Sequence, residues 1–214
     1  MRSADLTAAR IRDAAIEQFG HRGFDVGLRA IAEAAGVSAA LVIHHFGSKD
    51  GLRKACDDYI ADEIRSGKSE AMRSADPATW FAQMAEIESY APLMAYLVRS
   101  MQTGGELAKT LWQKMIADAE VYLEDGVRTG LLKGSRDPRA RAKYLSMSGG
   151  GAFLLYLQMH ENPTDLRVVL RDYAREMVLP ALEIYTEGLM NDSSMYDAFL
   201  AREDQGDQGE SHAR

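Results

Sequence analysis

The segment GVSAALVIHHFGSKDGL, Gly36 to Leu52, holds a hydroxyl at Ser38, imidazoles at His44 and His45 and an ammonium at Lys49, around an apolar run. The apolar residues are Ala39, Ala40, Leu41, Val42 and Ile43. These groups suit recognition rather than catalysis. Small apolar side chains touch thymine methyl groups in a DNA major groove, while Ser, His and Lys donate to phosphates or base edges. Neighbouring helical positions diverge by about 100°, so His44 and His45 do not chelate one ion. No Ser/His/Asp or Cys/His set, metal-ligand cluster or phosphate loop is present, and His160 with Glu161 reads as a solvated helix end. We therefore expect no enzyme, no metal and no cofactor.

A second set of candidates lies in the middle of the chain: Trp80, Met84, Met94, Met101, Trp112, Met115, Tyr122, Phe153 and Tyr156. Methionine and aromatic side chains make adaptable apolar pockets. The same side chains equally make ordinary core. Asp118 falls on the stripe of Leu111, Met115 and Tyr122, where a carboxylate needs a partner. An internal Arg or Lys and a cationic ligand are the two alternatives.

The elements that must position these groups are helical, because apolar residues recur with helical spacing and strand-like alternation is absent. Ile11, Ala15 and Phe19 mark a first helix; Leu28, Ile31, Ala32 and Ala35 mark a short second one. Ser38 caps a third, with Val42 and Phe46 inward, and Gly47 closes it. Ser48 caps a fourth. Lys49 then stands in a first turn, where the helix dipole disfavours a cation by a few tenths of a kcal/mol. A phosphate bound at that helix end reverses the sign. Beyond Gly67, turn signals divide the chain into helices near 77–88, 92–102, 105–129, 138–160 and 164–189, with a last short one at SMYDAFLA.

Two short helices joined by AGVS after a longer one form a helix-turn-helix. IRDAAIEQFGHRGF, LRAIAEAAGVS and HHFGSKDGL resemble the amino-terminal domain of TetR-type transcriptional regulators, closely over about the first 60 residues and in helix layout beyond. The sequence departs from that family's pattern where FDVGL offers Gly27 or Asp25 before the second helix, and where the third helix has Ala39, Ala40, Leu41 and Ile43.

The resemblance implies an all-α protein with a three-helix DNA-binding head and a larger helical body for ligand binding and dimerisation. It also implies a repressor that a hydrophobic small molecule releases from its operator, often one controlling an efflux or transport operon. An α-helical adaptor or small-molecule binder without sequence-specific DNA binding is the alternative. Arg29 at the start of the second helix, and Arg2 and Arg10 if the first residues form a minor-groove arm, complete the DNA-contact set.

Gly149, Gly150 and Gly151 each cost a helix about 1 kcal/mol against Ala, which points to close approach by another helix. The following helix is apolar on two sides, with Tyr173 and Met177 on one stripe, and Pro180 removes the hydrogen bond to the Glu176 carbonyl. These residues are the candidate interface of a homodimer bound to palindromic DNA.

The net charge of −7 argues against general polyanion affinity, yet residues 1–55 carry eight Lys/Arg against six Asp/Glu. A mildly basic head on an acidic body suits a DNA contact confined to one end. The charged amino terminus, the single Cys56 and the lack of a membrane-length apolar run predict a cytoplasmic protein. The expected division is a head at 1–50, a body at 51–200 and a disordered polar tail at 201–214.

Overall fold

A computed structural model describes residues 3–211, and every regular element among them is helical. The order is α1 (Ser3–Arg22), α2 (Leu28–Ala34), α3 (Ala39–Phe46), α4 (Lys49–Ser74), α5 (Pro77–Ala85), a 3-10 turn at Ile87–Tyr90, α6 (Ala91–Thr103), α7 (Gly105–Arg128), α8 (Pro138–Met159), α9 (Leu166–Glu187) and α10 (Ser194–Ser211).

Local chemistry explains most boundaries. Ser38 accepts from the Leu41 N–H and Ser48 from the Gly51 N–H, satisfying free donors at the starts of α3 and α4. Asp76 and Asp137 cap α5 and α8 in the same way, each followed by proline, whose missing N–H is harmless there. Gly47 ends α3 at φ 75°, a conformation that penalises any side chain.

The expected break near Gly67 is absent: α4 continues for 26 residues to Ser74. The Gln83 amide donates to the Gly67 carbonyl, so tertiary contact holds the helix where propensity weakens it. Among the described residues the expected arm is helical instead: α1 begins at Ser3, and Arg10 lies on it, exposed. Arg2 lies outside the described residues. Helix α10 runs to Ser211, into a segment whose composition predicted disorder; helical hydrogen bonds are local and need no core.

The head and the body share one core. Ile11, Phe19, Ile31, Val42, Leu52 and Ile60 are buried together with Tyr96 and Leu97 of α6 and Leu111 of α7. The expected boundary at 50/51 falls inside α4. Helices α1 and α6 touch so closely that a Cβ on Gly20 would stand 2.9 Å from that of Ala95. Beside this contact, Phe24 and Tyr96 meet edge to face at 5.2 Å, and the Arg53 guanidinium lies 3.7 Å over the Phe24 ring. The Tyr96 hydroxyl donates to buried Asp57 at 2.6 Å.

A second core joins Val98 of α6 to Phe153 and Leu157 of α8 and to Val169 and Leu170 of α9. Two compact units divide at Ala174 and Arg175. In the second unit α9 continues through exposed Pro180 to Glu187, and Leu179, Leu182, Ile184, Tyr185, Leu189 and Met190 are exposed.

Burial holds the Asp57 carboxyl above the usual carboxylate range, and the Tyr96 hydrogen bond and the Arg53 charge oppose that rise. A raised folded-state value means that ionisation of Asp57 costs stability as pH rises through it. Removing the donor enlarges this cost. Tyr96→Phe should therefore destabilise by about 1–3 kcal/mol at neutral pH and by less near pH 4, read from urea melts at both values.

Candidate nucleic-acid interface and effector cavity

Buried Val42 turns one side of α3 inward, and Phe46 and Ala39 pack partly against the same core. The opposite side presents Ala40, Ile43 and His44 to solvent, Ile43 being 42% exposed. Leu41 and His45 flank it half-buried, and the two imidazoles are 5.6 Å apart by ring centroid. Of the expected contact residues, Ser38 is exposed but its oxygen already caps α3, and Arg29 is exposed on the second residue of α2.

Lys49 is half-buried in the first turn of α4. The joint between α3 and α4 rests on a residue whose role its neighbours in sequence did not reveal. A Cβ on Gly51 would overlap the Phe46 carbonyl oxygen, so only glycine lets α4 pass so near the end of α3.

In the body, a cavity of about 670 Å³ is lined by Met101 and Ser100 of α6, Trp112 and Ile116 of α7, and Met147 and Leu154 of α8, among others. Lys109 and Glu106 line it as well. The Ser100 hydroxyl is buried there without a hydrogen-bond partner. Met101 and Trp112 are thus the expected ligand residues that line it.

The others are dispersed. Met94 and Met115 pack against the core shared with the head, Met94 also joins Met101 on the second core, and Tyr122 lies between α7 and α8. Phe153 and Tyr156 stack edge to face on Tyr173 at 5.2 Å each, within the second core. Trp80 and Met84 are half-buried on α5. Asp118 is paired internally, with Lys114 at 3.0 Å and Arg65 at 3.9 Å, so the carboxylate reserved for a cationic effector is taken by the protein.

The glycine run is split by its helix register. Gly150 faces inward, where a Cβ would meet Trp112 at 3.7 Å and Met101 at 3.9 Å; Gly149 and Gly151 face open space. Gly151, which with Met147 also stands at the rim of the cavity, continues an exposed stripe of α8 through Tyr144, Met147, Leu155 and Met159, the last 76% exposed. Met177 and Pro180 are exposed as well, whereas Tyr173 packs inside its own chain.

Residues 11–56 match the family described as bacterial regulatory proteins, tetR family, and residues 88–191 match the tetracyclin repressor-like C-terminal domain. The HTH-type transcriptional regulatory protein RaaS of Mycobacterium tuberculosis is 76% identical over 97% of this chain and 98% of its own length. The chain belongs to the TetR family of transcriptional regulators. It is a DNA-binding regulator that responds to a ligand, not an enzyme, and DNA, a small molecule and a second copy of the chain are the partners of this architecture.

Solved structures share the fold at low identity. One described as a TetR-family regulator from Rhodococcus sp. is 20% identical with a TM-score of 0.59, covering 85% of this chain and 98% of that one. SmeT, the repressor of the Stenotrophomonas maltophilia multidrug efflux pump SmeDEF, is 20% identical with a TM-score of 0.56, over 84% and 92% of the two chains. Among the described residues no helix is long and apolar enough to cross a membrane, and no group of three or more His, Cys, Asp or Glu is placed to hold a metal.

Gly51→Ala should destabilise the protein by about 1–3 kcal/mol or more, because the clash is with backbone rather than with a movable side chain. Thermal unfolding of the full chain checks this, and an Ala-tolerant position 51 would show that α4 can shift away from Phe46.

Proposed function

We propose that the protein represses an operon, of transport or efflux type, and leaves its palindromic operator when a hydrophobic small molecule fills the cavity between α6, α7 and α8. The observation that carries this reading is the dual role of α6. Ser100 and Met101 form the cavity wall, and one turn earlier Ala95 and Tyr96 press on α1 and on Asp57 of α4. An occupant that moves α6 therefore moves the head. The efflux assignment leans on the likeness to SmeT and on the apolar lining of the cavity.

Ala40, Ile43 and His44 meet base edges in this reading, with Ala39, Leu41 and His45 at the margin. Lys49 and Arg29 hold phosphates, and Ser38 adds a hydroxyl beside them. Arg10, exposed on α1, reaches the backbone alongside. Two heads on half-sites about 34–36 Å apart, or a multiple of that, supply specificity. The exposed stripe of α8 around Gly151 supports a pairing surface for the second copy.

Footprinting on the DNA upstream of the protein's own gene tests the reading, with tryptophan fluorescence following the effector at Trp112; absence of any protected palindrome would overturn it. Lys49→Ala should weaken operator and random DNA alike and reduce the salt slope by about one per head.

The interface has its own test. Gly151→Leu should yield a helical, largely monomeric protein in sedimentation, since overpacking a close contact costs about 1–3 kcal/mol. Gly150→Leu should leave the dimer intact and instead crowd Trp112. The opposite pattern would place the second copy on another face.

A further inference from the structure

The segment RKACDD at residues 53–58 sets two cations one turn ahead of two acids on α4, Arg53 before Asp57 and Lys54 before Asp58. Side chains four residues apart on a helix are neighbours and readily pair. The outer pair closes: Lys54 Nζ stands 2.6 Å from Asp58 Oδ2. Its twin stays open. The Arg53 guanidinium turns instead onto the Phe24 ring, 3.7 Å from the centroid, and there its Nε and Nη2 are buried without a hydrogen-bond partner.

Tyr96 explains why the inner pair is open. Its hydroxyl donates to Asp57 Oδ1 at 2.6 Å, and its ring meets Phe24 edge to face at 5.2 Å. Four groups thus form a ring that lacks one link: Arg53 on Phe24, Phe24 on Tyr96, Tyr96 on Asp57, and Asp57 one turn from Arg53 with that pair unclosed. They join three parts of the molecule. Phe24 lies in the connection between α1 and α2, Tyr96 is on α6, and Arg53 and Asp57 are on α4, where Arg53 follows Lys49 by one turn. A guanidinium and a carboxylate make a charge-assisted, often bidentate pair. Asp57 therefore has a second partner within reach once Tyr96 withdraws, and the contact given up is the cation on the Phe24 ring.

We propose that Arg53 is the bolt of a two-position latch between head and body. With α6 docked, Tyr96 holds Asp57 and Arg53 clamps Phe24. When α6 withdraws, Arg53 crosses to Asp57 and releases Phe24, which loosens the connection into α2 and its Arg29. The latch presupposes that an effector moves α6, as proposed above, and gives that movement its path into the head. Arg53 itself touches no DNA and acts as a positioning residue. Because the four groups have two discrete arrangements, a small shift of α6 reaches the head as a switch and not as a graded strain.

Two substitutions separate the positions. Tyr96→Phe removes the hydroxyl but keeps the ring, so it frees Asp57 for Arg53 with no effector present. Arg53→Met keeps an apolar stem on Phe24 and cannot cross. In urea melts, Arg53→Met should lower the midpoint more in the Tyr96→Phe background than in the otherwise wild-type protein, and Asp57→Asn should abolish the difference. On the DNA protected in footprinting, Tyr96→Phe should bind about tenfold more weakly, in proportion to the fraction of molecules left competent, and adding Arg53→Met should restore binding to within about twofold of wild type. Two losses of packing do not repair each other, so recovery distinguishes a latch from structural support.

An equal effect of Arg53→Met in both backgrounds would overturn the latch. So would wild-type operator affinity in Tyr96→Phe, or a double variant that binds no better than Tyr96→Phe alone. If Tyr96→Phe does not fold, Asp57→Asn decides: Tyr96 keeps an acceptor while Arg53 has no carboxylate to reach, so operator affinity should stay at or above wild type, and a fall would refute the latch. If footprinting finds no operator, the repressor reading fails by itself, and the urea comparison still decides whether Arg53 crosses to Asp57.

Discussion

The contact of α1 with α6 is the constraint on which the other arrangements depend. Gly20 and Ala95 bring two backbones together, and around them Phe19, Phe24 and Tyr96 form one aromatic cluster. Without that contact the head would be one longer and two short helices with a small core of their own. With it, Tyr96 belongs at once to the head's core and to the helix that walls the cavity. The buried Asp57 fixes the geometry further, because a buried carboxylate needs a partner and here finds it in the Tyr96 hydroxyl. A regulator needs its sensing and reading parts joined by something stiffer than a linker. Here the joint is a packed core with one directional hydrogen bond.

The electrostatics of the body follow a different logic. Along the seam of α4 and α7 most charges are spent on each other, in partly exposed pairs worth little individually. Their use is alignment: they fix which turn of α4 lies against which turn of α7. Asp118 is part of this lattice, which is why its place on an apolar stripe does not make it a receptor for a cation. Ser100 is the polar exception on the wall of the cavity, its hydroxyl buried without a hydrogen-bond partner.

The head was legible in the sequence because its signals are local. Ser38 and Ser48 are caps whose partners lie three residues away, and the inward face of α3 follows from Val42 and Phe46 alone. The helices of the body were legible for the same reason, with Asp-Pro at 76–77 and 137–138 marking starts. What stayed hidden depends on contacts distant in the chain. Tyr96 with Asp57, Gly20 against Ala95 and the continuation of α4 past Gly67 need a partner 16 to 75 residues away. Composition named the methionines and aromatics as one pocket, but register divided them between cores, with Met94, Met101, Phe153 and Tyr156 on one of them and Met101 and Trp112 on the cavity wall. In the same way it gave Gly150 to the interior and Gly151 to the surface.

The glycine at position 51 has a mechanical consequence. By letting α4 pass against the Phe46 carbonyl, it welds the recognition helix to the end of a rod of 26 residues, about 39 Å long at 1.5 Å per residue. A weld at one end makes the rod a lever. Tilting it by about 5° about its far end carries Lys49 through roughly 3 Å, close to the 3.4 Å rise of one base pair. In a pair of such rods the two displacements add, so a small movement at the far end is enough to put the heads out of step with the helical repeat of DNA.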